Sequence, residues 1–309
     1  MKKTALLPLF LLLLFLTSCS GRGNRVSIAQ QYGLAYAPVQ IMKEKGFLEE
    51  ELGGNTTVQW LKLANTAAIR EGVLAGDVDA GFLGIPPFLI ALDQGMPWKL
   101  LCGVSRSPLG LVVPAGQWSS LNDLPDDVRL ALPQPGSIQH ILLTMAVKRE
   151  RGQAGALDRN LVSLKHPDGL NALTSGSVDG HFTSPPYLFM EEDLDDFEVL
   201  LSGEEAMGSP FTFIAAMVTD KAASEKKDFP GALKKALERS MQFMRDNPED
   251  SLRILAAAYN LEEAVLQDYM NRPGMVYDTE ILGLDQFISF MNTEGYLEQI
   301  TSTEGILLP

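Results

Sequence analysis

Cysteine is nearly absent from this chain: 309 residues hold two, Cys19 and Cys102. Histidine is scarce as well, with three, and none forms a His-Glu-x-x-His pair. Neither a Gly-x-Ser-x-Gly elbow nor a Walker-type loop is present. These absences remove the usual sequence supports for metal-dependent, serine-dependent and nucleotide hydrolysis, so no catalytic residue, metal ligand or cofactor is expected. Basic residues are outnumbered, 25 against 39 acidic ones. A net charge of −14 leaves no electrostatic footprint for nucleic acid. Long apolar runs are missing too. The one candidate, Ala5 to Leu16, falls short of the roughly 20 residues that a membrane-spanning helix needs.

What is present reads as globular, with 46% hydrophobic and 21% charged residues in a chain long enough for two cores. Lys2 and Lys3 ahead of Ala5 to Leu16 give the charged-then-apolar order of an export signal, so residues 1–19 are set aside from the fold. Leu16-Thr17-Ser18-Cys19 resembles the lipobox of bacterial lipoproteins. That likeness implies cleavage before Cys19 and attachment of its thiol to a diacylglycerol; ordinary cleavage beside an unmodified Cys19 is the alternative. With Lys2 and Lys3 removed, the 25 basic residues fall to 23 against 39 acidic, a net charge of about −16. Ser20 to Asn24 reads as a short polar tether. A lipidated Cys19 leaves Cys102 without an intrachain partner, and its run Leu100 to Val104 points to a buried, inert thiol.

The most informative stretch is Val73 to Pro86, because Leu173 to Pro186 repeats it. The copies share Gly76 with Gly176, Val78 with Val178, Asp79 with Asp179, Phe82 with Phe182 and Pro86 with Pro186. Each reads as an apolar helix end, a glycine stop, a short buried strand and a Pro-stopped loop. Ligands in open α/β sheets sit where strands end, so Gly84, Ile85 and Pro86 with Pro87, and Ser184 to Tyr187, become candidate site loops. Two copies imply two lobes around one cleft.

The remaining pattern alternates strand and helix, which predicts parallel sheets. Strands are expected at Arg25–Gln30, Thr56–Leu63, Lys99–Val104, Val128–Leu132 and Leu161–Leu164. Helices are expected from Pro38 to Lys45, from Asn65 and Thr66 to Ala75, from Pro87 to Gln94 and from Ile138 to about Arg151. Phe211 to Val218 is a β-type run where the chain would cross back to the first lobe, and the remainder is mostly helical. The acidic run Glu191 to Glu198 lacks a neighbouring histidine and reads as a solvated helix end rather than a metal site.

Together, several segments resemble the substrate-binding lipoproteins of ABC importers in the nitrate, sulfonate, taurine and thiamine-pyrimidine (NMT1-like) family. They are Ala35-Tyr36-Ala37-Pro38, Lys45-Gly46-Phe47-Leu48, Leu74 to Ala80, Pro135-Gly136-Ser137 with His140, and Ser177-Val178-Asp179-Gly180 ahead of Pro186-Tyr187. The resemblance spans roughly Val26 to Tyr296. It implies an α/β, type II periplasmic-binding-protein fold with crossover strands near Val104 to Val113 and Ser209 to Val218. Residues 25–108 plus 209–309 would form lobe one and residues 109–208 lobe two.

It also implies capture of a small solute by hinge closure, with a permease and its ATPase as partners and a monomeric, envelope-anchored protein. Helix N-termini then offer backbone donors at Gln31 to Gly33, Asn65 to Ala67 and Gly136 to Ile138. Tyr32 and Tyr36 either stack on a planar ligand or pack over a helix start. Ser137 is a better donor than His140, while Thr183, Ser184 and Tyr187 follow the second repeat strand. Arg106 pairs either with an anion or with a surface carboxylate. Few Arg or Lys lie in these loops, and with Tyr32, Tyr36, Trp60 and Tyr187 at hand the reading leans to a heterocycle over an oxyanion. Two rivals stand beside transport. One is a ligand-sensing lipoprotein. The other is an enzyme like the pyrimidine synthases of this fold, for which His140, His166 and His181 are available but the associated cysteine-rich motif is not.

Overall fold

The computed structural model describes residues 25–309 apart from Asn55 and Ala64. The export signal and Cys19 lie outside the described residues. Strands β1 (Arg25–Gln30), β2 (Thr57–Lys62), β3 (Ala80–Gly84) and β4 (Trp98–Ser105) open a first sheet. The chain then crosses to a second, made of β5 (Gly110–Pro114), β6 (Leu130–Leu132), β7 (Leu161–Ser163), β8 (Gly180–Thr183) and β9 (Phe197–Ser202), and returns to the first with β10 (Ile214–Thr219). The strand orders are β2-β1-β3-β10-β4 and β7-β6-β8-β5-β9, one topology used twice.

The all-parallel expectation is corrected here. β10 runs antiparallel between β3 and β4, and β5 runs antiparallel between β8 and β9. Each enters its sheet from the other lobe rather than through a helical crossover, so nothing forces it to share its neighbours' direction. The Phe211 to Val218 run also differs: Phe211, Thr212 and Phe213 are buried outside the strand, which starts at Ile214.

Helices α1 (Ala37–Lys45), α2 (Phe47–Glu51), α3 (Thr66–Ala75) and α4 (Ile85–Asp93) belong to the first lobe, and α5 (Ile138–Arg151), α6 (His166–Thr174), α7 (Tyr187–Glu192) and α8 (Gly203–Met207) to the second. After the return come α9 (Asp220–Glu225), α10 (Phe229–Asp246), α11 (Pro248–Tyr259), α12 (Glu263–Asn271) and α13 (Leu284–Thr293). Here α10 packs on α1, α2 and β4, α11 on α1, and α13 on α4. Capping follows the sequence: Asn65 Oδ1 accepts from the Ala68 amide at 3.0 Å, and Ser137 Oγ from the His140 amide at 3.3 Å. The start of α4 does not. Gly84 is its extended N-cap and Ile85 and Pro86 form its first turn, where a proline's missing N–H costs nothing. Gly84, Ile85 and Pro86 are therefore a strand end and a helix start, not a loop.

The repeat is physical. Gly76 (φ 76°) and Gly176 (φ 68°) both take the left-handed conformation that ends a helix cheaply only at glycine. Asp79 Oδ2 accepts from the Ser27 amide and Asp179 Oδ2 from the Arg129 amide, both at 2.8 Å, tying the first copy to β1 and the second to the residue that precedes β6. Val78 with Val178, and Phe82 with Phe182, are buried at matching positions. Burying each Phe contributes about 1.5–3 kcal/mol. Cys102 is buried in β4, and burial pushes its thiol up to about 12, an inert form.

Candidate functional site

The segments leaving β1, β3, β6 and β8 face one another across the two lobes. The Leu34 amide donates to Pro185 O at 3.4 Å. A Cβ placed on Gly84 would stand 3.5 Å from the Ile138 side chain, and one on Gly136 would stand 3.0 Å from Ile90. The lobes thus meet at the strand ends, where the sequence placed a cleft.

Tyr32 lies on this face, within the influence of Tyr187. Its hydroxyl donates to Tyr259 O at 2.9 Å, its ring stands edge-on to Tyr259 with centroids 5.3 Å apart, and it remains 39% exposed. Burial and the approach of Tyr187 from the other lobe both raise its pKa. Tyr187 is half-buried and stacks on His166 with centroids 5.9 Å apart and planes 18° apart. Tyr36 does not join them. It is buried in the first lobe's core, with its phenol pushed up by burial, so of the two tyrosines weighed for stacking only Tyr32 keeps an open face.

Several expected donors are already engaged. Gln31 Nε2 donates to Phe82 O at 3.3 Å. The Gly136 amide donates to His140 Nδ1 at 3.0 Å, which removes it from the free donors of that helix start. With Nδ1 accepting, the network places the His140 proton on Nε2, 3.3 Å from Asp158 Oδ1. His140 is thus a satisfied, buried imidazole. Ser137 and Ser184 are buried, Ser137 by its own cap. Asn65 is exposed and Thr66 half-buried at the start of α3. Arg106 pairs with Asp278 rather than with an anion. Trp60 is half-buried within β2.

The structure brings in residues that the sequence reading left out of the site. Lys62 ends β2, and its Nζ stands 5.6 Å from the centroid of Tyr32. Among the described residues Lys62 forms no ion pair, which leaves an exposed cation beside the open ring. Its place as the last residue of a parallel strand was the signal that could have found it. His166 opens α6, with Nδ1 2.8 Å from Thr183 Oγ1. Burial and then the nearby His181 push it down to about 3, so it is neutral.

The acidic run is corrected as well. Glu191 is not a solvated residue: it is fully buried with His181 at 2.6 Å, a histidine ten positions away in sequence but facing it in space. A groove of about 600 Å³ between α10, α11 and α12 is lined by Met241, Met244, Leu255, Met270, Met275 and Tyr277 among others, and none of the sequence-selected residues lines it.

The model of the NMT1-like family matches residues 25–259. The chain belongs to the NMT1-like family. The taurine-binding periplasmic protein of Escherichia coli (strain K12) is 24% identical over 235 residues, covering 74% of this chain and 69% of that protein. Among solved structures, the alkanesulfonate-binding protein SsuA from Xanthomonas axonopodis pv. citri, bound to MOPS, superposes with a TM-score of 0.76 at 20% identity, covering 92% of this chain and 98% of that one. The periplasmic aliphatic sulphonate binding protein SsuA of Escherichia coli gives 0.74 at 19%, covering 92% and 97%. These likenesses show the periplasmic-binding-protein fold for this NMT1-like chain.

Proposed function

We propose that this NMT1-like chain is the extracytoplasmic substrate-binding component of an ABC importer and captures a small solute with an anionic head group, a sulfonate by preference, through closure of its lobes. The carrying observation is Lys62 above the open face of Tyr32, at the strand ends where Tyr187 approaches from the other lobe. An exposed cation beside an amphipathic ring suits an acidic group at one end and an apolar stem at the other. The named relatives bind taurine and sulfonates, which supports the same class. The heterocycle reading loses Tyr36 and Trp60, yet the stacked His166 and Tyr187 rings opposite Tyr32 keep it as the second reading.

Lobe one comprises residues 25–108 plus 209–309 and lobe two residues 109–208, a division supported by the membership of the two sheets. The protein acts as a monomer delivering solute to a permease and its ATPase, held to the envelope through an acylated Cys19; intact-mass measurement of the exported chain tests that lipid.

Thermal shift and calorimetry with taurine, alkanesulfonates, nitrate and thiamine pyrimidines decide the ligand class. A solute at 100 times its Kd stabilises the fold by about 2.7 kcal/mol. Stabilisation by sulfonates supports the first reading, stabilisation by pyrimidines alone the second, and a flat response across the panel removes both.

A further inference from the structure

The lobes are joined at a second place, built around one arginine just past α12. The Arg272 guanidinium lies between two rings, 4.7 Å from the centroid of Phe189 on α7 and 4.8 Å from that of Tyr269 on α12. Its Nη2 donates to Asp193, which follows α7, and at 2.8 Å to Asp268. Its Nη1 reaches Phe189 O at 3.5 Å and Glu192 at 3.7 Å. Tyr269 adds a hydroxyl donated to the other Asp193 oxygen at 3.2 Å. Both oxygens of one second-lobe carboxylate are therefore held by the first lobe.

We propose that Arg272 is a latch: a positioning residue that holds α7, and with it Tyr187, against the first lobe in the closed state without itself touching solute. This rests on the closure reading above. An isolated exposed ion pair contributes little to such an equilibrium. Arg272 differs because its side chain is only 22% exposed, sits between two π-faces and spreads its donors over several acceptors. Phe189, Glu192 and Asp193 lie on or beside α7, so opening breaks every one of these second-lobe contacts together. The latch thereby favours closure through contacts that the open state lacks.

Hydrogen exchange of the full chain without solute reads this directly. The reporter is the Leu34 amide, bonded across the lobes to Pro185 O, together with Gly136 to Gln139 where α5 meets α4. In Arg272→Ala and in Asp193→Asn both reporters should exchange roughly three- to tenfold faster, while β1 and β6 keep wild-type protection. Arg272→Lys, which keeps the charge but not the planar fork, should fall between. Faster exchange confined to residues 187–193 and 268–272, or an equal rise in β1 and β6, overturns the latch. Because no solute is present, the result is independent of the binding panel: a failed panel removes the capture reading, and a silent Leu34 amide removes the latch.

Discussion

Nδ1 of His181 lies 2.6 Å from Oε1 of Glu191, with both side chains closed off from water in the middle of the second lobe. Burial holds Glu191 up at about 9 and His181 down at about 3. The pair is therefore an uncharged hydrogen-bonded unit tying β8 to α7. Between its ordinary range and pH 9, folded Glu191 keeps a proton that the unfolded chain releases, so its contribution to stability falls as pH rises. His181 and His166 act in the opposite sense between pH 3 and their ordinary values near 6.5. This cluster then predicts a stability maximum near pH 6.5 and an alkaline decline of at most about 1.4 kcal/mol per pH unit. Glu191→Gln keeps a donor to His181 and should flatten that decline; urea midpoints from pH 6.5 to 9 measure it, and an unchanged slope would refute the assignment.

Asp93 holds the C-terminal segment in place. Its carboxylate accepts from the amides of Glu298 at 2.9 Å and of Gln299 and Ile300 at 2.8 Å. Burial alone would raise its pKa, and the three backbone bonds outweigh it, so the pKa is lowered. Asp93→Asn should cost about 1.5–3 kcal/mol at pH 7. The carboxylate's contribution is present above its unfolded pKa and lost as pH falls through the depressed folded one, so denaturation midpoints of variant and wild type should converge at low pH.

At the cleft, Lys62→Ala removes charge and Tyr32→Ala removes the ring. For a sulfonate, Lys62→Ala should weaken binding by about 1.5–3 kcal/mol, the range of a charge-assisted hydrogen bond. For a neutral heterocycle Lys62→Ala should change little while Tyr32→Ala remains costly. Calorimetry on both variants separates the two.

Gly103 in β4 lies under the segment that includes Glu280. A Cβ there would collide with Glu280 O, a backbone atom, while the Gly103 amide donates to Thr279 O at 3.0 Å. Gly103→Ala must push that segment away and should cost about 1–3 kcal/mol in thermal unfolding.

Much of this was legible in the sequence because it is local. The strand Arg25–Gln30, the helix start at Asn65 and the glycine stop at 76 follow from neighbours a few residues apart. The repeat carried the two-lobe architecture, and the motifs carried the family and its class of function. What escaped depends on distant pairings. The direction of β5 and β10 is set by crossings between lobes. Glu191 is on α7 while its partner sits on β8, Tyr36 is hidden by the core that forms around it, and Lys62 gains meaning only when β2 is laid beside the segment holding Tyr32.

The position of β10 orders the assembly of the chain in time. Among the described residues, the first sheet gives β4 no strand neighbour but β10 and an isolated bridge from Leu100 to Leu307, and β3 is joined to β4 through β10. Ribosomes make Trp98–Ser105 more than a hundred residues before Ile214–Thr219, with all of the second sheet in between. The second sheet has its full complement of strands once Ser202 is made; the first must keep a gap open until its last strand arrives. A truncated chain ending before residue 214 should therefore hold a complete second sheet and a first sheet in which β3 and β4 lack the strand between them, and a helper that delays folding would have its binding target in β3 and β4.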